Sequence, residues 1–520
     1  MKKLLNFSID SHARRGGYVT REKKLMFNTI ASLTCQVVTL ICGFILPRLI
    51  LSSYGSEVNG LVNSISQFLG VITLLDLGVG AVVQSTLYKP LAEKDHKKIS
   101  EIYVSARKFF TRLALILLAY AVVIMVVYPL IVNKNFDYGY TSLLIAVISI
   151  SSFGQYFFGI VNSLLLSADQ KGYIQYTVQI ITLILNTAAC SVLILAGCSI
   201  HIVKLTTSVI FLIRPLFLDW YVNKYYEIDR TIVLTEEPIK QKWNGMAQHF
   251  AAYVLSGTDN IVLTFLSTLA NVSIYSVYNI VISGVKNSFL SLTGGFQSLI
   301  GEMLAKKEFD KLRIFFGYVE WILHTGTTLI FGCTGVLIVS FVQVYTNGIH
   351  DADYIQPLFA VLITAANAGH CLRLPYNILI LAAGHYKQTQ SNYITAMLLN
   401  IVISIATVRL WGLVGVAIGT LVAMAYQTVW MAWYDSKNII NWPFKKILKQ
   451  FAVDFATVVM ASLASFKIPL LSVTYLSWFI RAVEVFAIWF CITLAINYVF
   501  YKESITALLH RVKRKVMKEG

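Results

Sequence analysis

An all-α fold that crosses a membrane many times is what this sequence predicts, on three observations. Of its 520 residues, 57% are hydrophobic and only 13% are charged, too few charges to cover soluble domains of that total size. Apolar runs of about 20 residues, long enough to span a ~30 Å hydrocarbon core as helices, recur along the whole chain. Basic residues collect in alternate links between those runs, as the positive-inside bias requires of a polytopic protein.

The elements follow in chain order. Residues 1–24, MKKLLNFSIDSHARRGGYVTREKK, form a basic segment whose apolar patch is too short for the core of a signal peptide. They are expected on the cytoplasmic membrane surface. Apolar runs at 25–50, 58–86, 109–132, 140–167, 172–197 and 201–222 predict an N-lobe over 25–222. A cytoplasmic loop at 223–246 separates it from a C-lobe over 247–434, with runs at 247–267, 274–302, 313–345, 355–382, 389–409 and 412–434. A helix pair at 447–466 and 474–500 occupies 435–501, its edges interrupted by Lys467, Arg481 and Glu484, and a basic tail closes the chain at 502–520. The expectation is about fourteen helices, arranged as two parallel six-helix lobes plus a C-terminal helix pair. On this map 34 of the 43 basic residues fall on one side, which places both termini in the cytoplasm.

The lobes read as copies. A shift of 214 residues sets Gly43 on Gly257, Val58 on Val272, Leu165 on Leu379, Ala168 on Ala382, Asn186 on Asn400 and Thr206 on Thr420. A repeat of six helices returns to its starting side, so the copies run parallel, about an axis along the membrane normal. Transporters built this way bind substrate near the midplane between the halves.

Several function classes are disfavoured. The net charge of +17 is spread through short links, not over a basic face of a folded domain, so nucleic acid is not expected as a partner. The seven cysteines lie mostly within apolar runs, without metal-ligand spacing. Asp351-x-Asp353 resembles a sugar-transferase metal pair, but it lies in a short outer link, where turn chemistry accounts for it. No catalytic residue, metal or cofactor is expected.

The polar residues inside the spans carry the functional signal. Asn279, Ser283, Lys286, Asn287 and Ser291 recur every three or four residues, so they share one helix face. The second run shows Asn59, Asn63, Ser66 and Gln67, then Asp76. The first shows Asn28, Ser32, Gln36 and Thr39, and the seventh His249, Tyr253, Ser256 and Asn260 beside Asp259. Small and polar side chains also serve simple helix packing. A charge is another matter, since a lysine at the centre of a membrane helix costs ~2.5–3.5 kcal/mol. Lys286, Arg48, Arg373 and Arg214 are therefore the candidate anion-binding residues, lysine as a point charge and arginine as a fork for phosphate. Asn63, Gln67, Asn279, Ser283, Asn287 and Tyr253 are candidate cavity lining. Asp259, Asp76 and Glu320 are candidate carriers of a coupling ion, with His324 one turn beyond Glu320. The competing reading pairs Lys286 with Asp259 or Asp76 in a dry ion pair.

Four stretches resemble a known family. YGSEVNGLVNSI from Tyr54 is similar to its link between helices 1 and 2, and LLDLGVGAVVQ (Leu74–Gln84) to the end of helix 2. TDNIVLTFLSTLANVSIYSVYNI (Thr258–Ile280) is similar to helix 7 entering helix 8, and GLVGVAIGT (Gly412–Thr420) to the start of helix 12. In their order and spacing the chain resembles the polysaccharide-exporter branch of the multidrug/oligosaccharidyl-lipid/polysaccharide superfamily, the O-antigen and capsule flippases of bacteria. The resemblance implies a V-shaped transporter in the bacterial inner membrane, without enzymatic activity. Its substrate would be an undecaprenyl-pyrophosphate-linked oligosaccharide, and its surroundings membrane lipids. Polysaccharide polymerase and chain-length machinery are further partners to expect, with a proton or sodium counter-ion. The rival readings are a peptidoglycan-precursor flippase, a multidrug or cation antiporter, and, from a different class, a membrane glycan polymerase or transferase.

Overall fold

The computed structural model describes residues 21–71, 79–132, 136–232, 246–291, 293–503 and 505–506. Asp76, most of the basic segment 1–24, much of the loop 223–246 and most of the tail 502–520 lie outside the described residues. Among those described, all regular structure is helical. Among the described residues eleven helices are long and apolar enough to cross a membrane, and the chain is a multi-pass membrane protein.

Helix α1 runs Arg21–Gly70 and folds back on itself at Gly55, where φ is 83° and ψ 174°. Only glycine adopts that conformation cheaply. The first two expected helices are thus two legs of one kinked element, the second continued by α2 (Val79–Glu93). Helix α3 covers His96–Val132, so the expected start at 109 is corrected by more than three turns. The charged prefix was read as a link, yet it is amphipathic: Ile99, Ile102, Tyr103 and Ala106 are buried while Lys97, Lys98 and Lys108 face outward. Next come α4 (Tyr138–Gly154), a π turn at Gln155–Gly159, α5 (Ile160–Ala168), α6 (Gly172–Leu195) and α7 (Ile200–Tyr225).

The second half begins with α8 (Met246–Leu266) and α9 (Leu269–Ser291). The expected helix 274–302 is instead α9, starting five residues earlier, followed by α10 (Gly294–Ala305). The polar side chains along α9 lower its hydropathy, and it falls outside the eleven apolar spans. Helix α11 runs Phe309–Tyr345. The expected helix 355–382 breaks at Arg373 into α12 (Pro357–Leu372) and α13 (Leu374–Ala382), because Pro375 has no N–H to continue the ladder. The remaining elements are α14 (Tyr386–Trp411), α15 (Leu413–Asn438), α16 (Phe444–Ser465) and α17 (Tyr475–Phe500). Gly415-x-x-x-Gly419 brings α15 against α14. A Cβ at Gly419 would lie 2.2 Å from Ser404 Oγ, closer than atoms can approach.

Buried apolar side chains fall into separate clusters. Two draw on residues 50–222, apart from Leu269, and the largest on residues 251–447, apart from Leu51. The C-terminal pair docks on α11 through Cys333, Leu337, Ala461, Val485 and Trp489. Large apolar residues such as Leu115, Val123 and Leu130 on α3 and Phe479, Phe486 and Leu494 on α17 point outward, as a hydrocarbon surrounding demands.

Hydrogen bonds join the halves at the end opposite the termini. Ser56 Oγ donates to Asp351 Oδ1 (2.6 Å) and its N–H to Asp351 Oδ2 (2.6 Å). Ser64 and Thr264 share a hydrogen bond of 2.8 Å, and Tyr345 OH donates to the Phe44 carbonyl (2.8 Å). Asn59 Nδ2 donates to Ser273 Oγ at 2.7 Å, and these two residues are 214 apart, the offset of the sequence repeat. A residue meeting its own counterpart stands where a two-fold axis between the copies would pass. Gly60 is required there, since a Cβ would sit 1.9 Å from the Leu269 carbonyl oxygen.

Candidate functional site

Helices α8, α9, α12 and α15 enclose a cavity of about 90 Å³ lined by Asp259, Tyr275, Asn279, Lys286, Asn367, His370, Arg373 and Thr420 among others. Its residues come from three local patterns. Asn279 and Lys286 lie two turns apart on one face of α9. Asn367, His370 and Arg373 are spaced by three along α12, so they also share a face. Asp259 and Thr420 approach from α8 and α15.

Two cations meet in this cavity. Lys286 is half-buried and donates from Nζ to Asn367 Oδ1 at 3.1 Å. Arg373, 6% exposed, donates from Nη1 to Gln427 Oε1 and sits over the Tyr393 ring, 5.8 Å from its centroid. Its Nη2 lies 3.2 Å from His370 Nδ1. A guanidinium can only donate, so Nδ1 accepts and His370 is neutral with its proton on Nε2. Among the described residues the Arg373 Nε finds no hydrogen-bond partner. The carboxylate of Asp259 is held by neutral donors: Tyr275 OH (3.0 Å), Thr420 Oγ1 (2.9 Å) and, more distantly, Asn400 Nδ2 (3.5 Å). Among the described residues no carboxylate lies within ion-pair distance of Lys286 or Arg373. Two cations against one carboxylate leave the cavity net positive. The dry Lys286–Asp259 pair does not form.

The other candidates lie elsewhere. Arg48 is at the joint between the halves, donating from Nη2 to the Asn347 carbonyl at 2.6 Å. Arg214 lines a separate cavity of about 460 Å³ in the first half, with Ser151, Ser152, Gln155, Gln179 and Thr182. Asn63 donates to the Asn59 carbonyl (2.8 Å) on its own helix. Gln67 faces Gly257, and Tyr253 faces Gly70, across the halves. Ser283 donates to Asn279 Oδ1 at 3.1 Å, and Asn287 is exposed. Glu320 is buried outside this cavity, accepting from Tyr376 OH and Trp442 Nε1. Four expected residues (Lys286, Arg373, Asp259 and Asn279) therefore converge, while Arg48, Arg214 and Glu320 stand apart.

The lining residues Asn367, His370, Tyr275 and Thr420 are additions from the structure. The spacing of Asn367, His370 and Arg373 was a legible signal for two of them.

A second, larger space is lined by other residues of the same helix α9. Leu40 and Phe44 of α1, Val281, Gly284, Val285 and Ser288 of α9, and residues of α11 and α17 line an apolar groove of about 500 Å³ between the halves. Helix α9 thus turns Lys286 to the polar cavity and Val281 and Val285 to the groove. At ~90 Å³ the cavity has room for about three waters, below the ~300–1,000 Å³ of ordinary ligand pockets. An anion larger than that needs the surrounding helices to part.

No family model matches the sequence, and no curated protein sequence matches it. Solved structures do match its fold. One described as "Lipid II flippase MurJ, inward closed conformation" superposes with a TM-score of 0.65 at 14% identity, covering 92% of this chain and 100% of that one. An inward-facing multidrug resistance MATE family transporter of the MOP superfamily gives 0.58 at 16% identity, over 78% of this chain and 98% of that one. The eukaryotic MATE transporter AtDTX14 gives 0.55 at 12%, over 82% and 98%. The chain therefore has the fold seen in these transporter structures.

Proposed function

We propose that this protein is a flippase of the multidrug/oligosaccharidyl-lipid/polysaccharide type. Its substrate is an undecaprenyl-pyrophosphate-linked oligosaccharide, moved from the inner to the outer leaflet of a bacterial cytoplasmic membrane for polysaccharide assembly. The observation that carries this reading is the two-faced α9. A net positive, hydrogen-bonding cavity around Lys286 and Arg373 shares that helix with an apolar groove between the halves. A lipid diphosphate has both matching parts. A diphosphate cannot cross hydrocarbon unaided, because each unpaired polar group there costs several kcal/mol.

In this mechanism the two six-helix lobes, 25–222 and 247–434, rock about the joint near Asn59 and Ser273, with both termini cytoplasmic. Parting of α8, α9, α12 and α15 enlarges the cavity. Lys286 Nζ exchanges Asn367 for a phosphate oxygen, the open Nε edge of Arg373 takes a second, and the polyprenyl chain stays in the groove. The inside-negative potential drives an anion outward, by ~2.3 kcal/mol per charge per 100 mV. Asp259, ringed by neutral donors, and Glu320 are two described acids available to a coupled proton or sodium ion.

A peptidoglycan-precursor flippase is the second reading, favoured by the 0.65 superposition on a structure so described. Both substrates carry a lipid diphosphate, so the cavity serves either. A cation antiporter fits less well, since Lys286 and Arg373 repel its cargo. Complementation separates them. Strains lacking an oligosaccharide flippase with defined glycan repeats are expected to recover surface polysaccharide, and the Lys286→Ala protein to insert but not restore it. Rescue only of a strain lacking the peptidoglycan-precursor flippase would select the second reading. Uptake of cationic dyes would select the antiporter.

A further inference from the structure

Away from that cavity, α11, α13, α15 and α16 bury a second polar cluster. Glu320 is 4% exposed, His324 0%, Asp435 1% and Asp454 6%. A continuous chain of hydrogen bonds links most of it. Trp442 Nε1 donates to Glu320 Oε2 (3.0 Å), and Tyr376 OH donates to Glu320 Oε1 (2.9 Å). The same phenol oxygen is 3.3 Å from His324 Nε2, and His324 Nδ1 is 2.6 Å from Asp454 Oδ2. Gln450 Nε2 donates to Asp454 Oδ1 at 3.0 Å.

The polarity of this chain fixes its proton count. A phenol has one proton. If Tyr376 gives it to Glu320, His324 Nε2 must carry a proton toward the phenol oxygen. Nδ1 against Asp454 then needs a second proton, on the ring or on the carboxyl. If Tyr376 instead donates to His324, Glu320 must be protonated to face the phenol oxygen. Every arrangement holds one proton more than a neutral imidazole between two carboxylates.

Asp435 supplies an independent observation. Both its carboxyl oxygens are buried and, among the described residues, find no hydrogen-bond partner, while α15 packs against α13 and α16, which carry Tyr376 and Asp454. An ionised carboxylate so placed is heavily penalised. Among the described residues no lysine or arginine pairs with Glu320, Asp435 or Asp454. The nearby cations are engaged otherwise: Arg313 Nε on the Ile440 carbonyl (2.8 Å), Lys446 over the Trp442 ring (4.4 Å) and Lys449 on the Phe500 carbonyl (2.9 Å).

Access is built in. A cavity of about 740 Å³ at the terminal end is lined by Glu320, Trp442 and Gln450, with Arg313, Lys446, Lys449, Tyr501 and Glu503 around it. Both ends of the chain, Trp442 with Glu320 and Gln450, meet that cavity, while Tyr376, His324 and Asp454 are not among its lining residues.

We propose that Glu320, His324, Asp435 and Asp454 form a proton-binding site, loaded through Glu320 from the terminal-end cavity, whose charge state governs how tightly α16 is tied to α11 and α13. The proton site stands on this geometry alone. Its use as the counter-ion site of transport rests on the flippase reading above.

The test is infrared difference spectroscopy of the full chain in nanodiscs, between about pH 5 and about pH 9, the range that brackets a histidine switch. The wild type is expected to show the C=O stretch of a protonated, buried carboxylic acid that disappears on deprotonation. His324→Gln is expected to displace that transition and Asp435→Asn to remove part of the band, with helix content unchanged. Glu320→Gln serves if either variant fails to fold. Identical titrations in wild type and variants would overturn the site. Altered titration together with undiminished polysaccharide export by His324→Gln would overturn the counter-ion role alone, leaving the flippase reading intact.

Discussion

Set side by side at the 214-residue offset, the two halves share a frame and differ in chemistry. Asn400 and Thr420, which hold Asp259, correspond to Asn186 and Thr206. The position matching Asp259 is Ile45, and the position matching Arg373 is Gly159. Both Gly159 and Arg373 mark an interrupted helix: a π turn ends at Gly159, and α12 gives way to α13 at Arg373. The backbone device is thus common to both halves. At these matched positions only the second half carries charged side chains. The first half has its own cation, Arg214, in a roomier cavity without a carboxylate among its lining residues. Its counterpart in the second half is Thr428. The difference teaches that each half has a polar hollow of its own, and that side chains set them apart: Lys286, Arg373 and Asp259 line one, Arg214 the other.

The comparison is broken most severely at Lys286. Truncating one member of a buried, charge-assisted contact costs about 2–5 kcal/mol, so Lys286→Ala is expected to lower export ~30-fold or more. Lys286→Glu should do worse. The readout is surface polysaccharide against lipid-linked repeat units retained in the cell.

Next in size is the joint between the halves. Gly60→Leu drives a side chain into the Leu269 carbonyl, and overpacking of this kind costs about 1–3 kcal/mol. A lowered midpoint of thermal unfolding in detergent is expected, with Gly43→Leu as the control, because a Cβ at Gly43 meets nothing within 4 Å. Equal midpoints for the two variants would mean that the halves are not held together at Asn59 and Ser273.

The smallest expected effect is that of Arg214→Ala. If the first-half hollow does not hold the diphosphate, removing this guanidinium changes export by about twofold at most, the range of a substitution outside the working site. A loss as large as that of Lys286→Ala would place the anion between the halves, shared by both cavities.

Much of this was legible in the sequence because the bilayer enforces simple rules. Long apolar runs had to be helices, and the Asn59–Ser273 contact found in the structure falls on the 214-residue offset of the sequence. Gly415 and Gly419 anticipated the close approach of α14 and α15. Helix ends were less legible. The charges before residue 109 mimicked a link, since an amphipathic extension outside the hydrocarbon shows the same composition as a loop. The break at Arg373 was marked by Pro375, but a proline within an apolar run is also tolerated in unbroken membrane helices. For the site, depth alone singled out Lys286, Arg373, Arg214 and Arg48 as one group. Depth cannot say which cations face each other. That depends on helix rotation, which directs Arg48 to the Asn347 carbonyl and Arg214 into the first half. Asp435 and Asp454 were not legible because each is an isolated acid in the sequence, Asp435 just past one apolar run and Asp454 within another. Only the packing of α16 on α11, and of α15 on α13 and α16, gathers them with Glu320 and His324.

The most direct test is equilibrium binding of undecaprenyl diphosphate, without sugars, to the full chain in nanodiscs, comparing wild type, Lys286→Ala and Arg214→Ala. The account predicts saturable binding that weakens about tenfold or more in Lys286→Ala and hardly changes in Arg214→Ala. Equal affinity of the wild-type and Lys286→Ala proteins would contradict it.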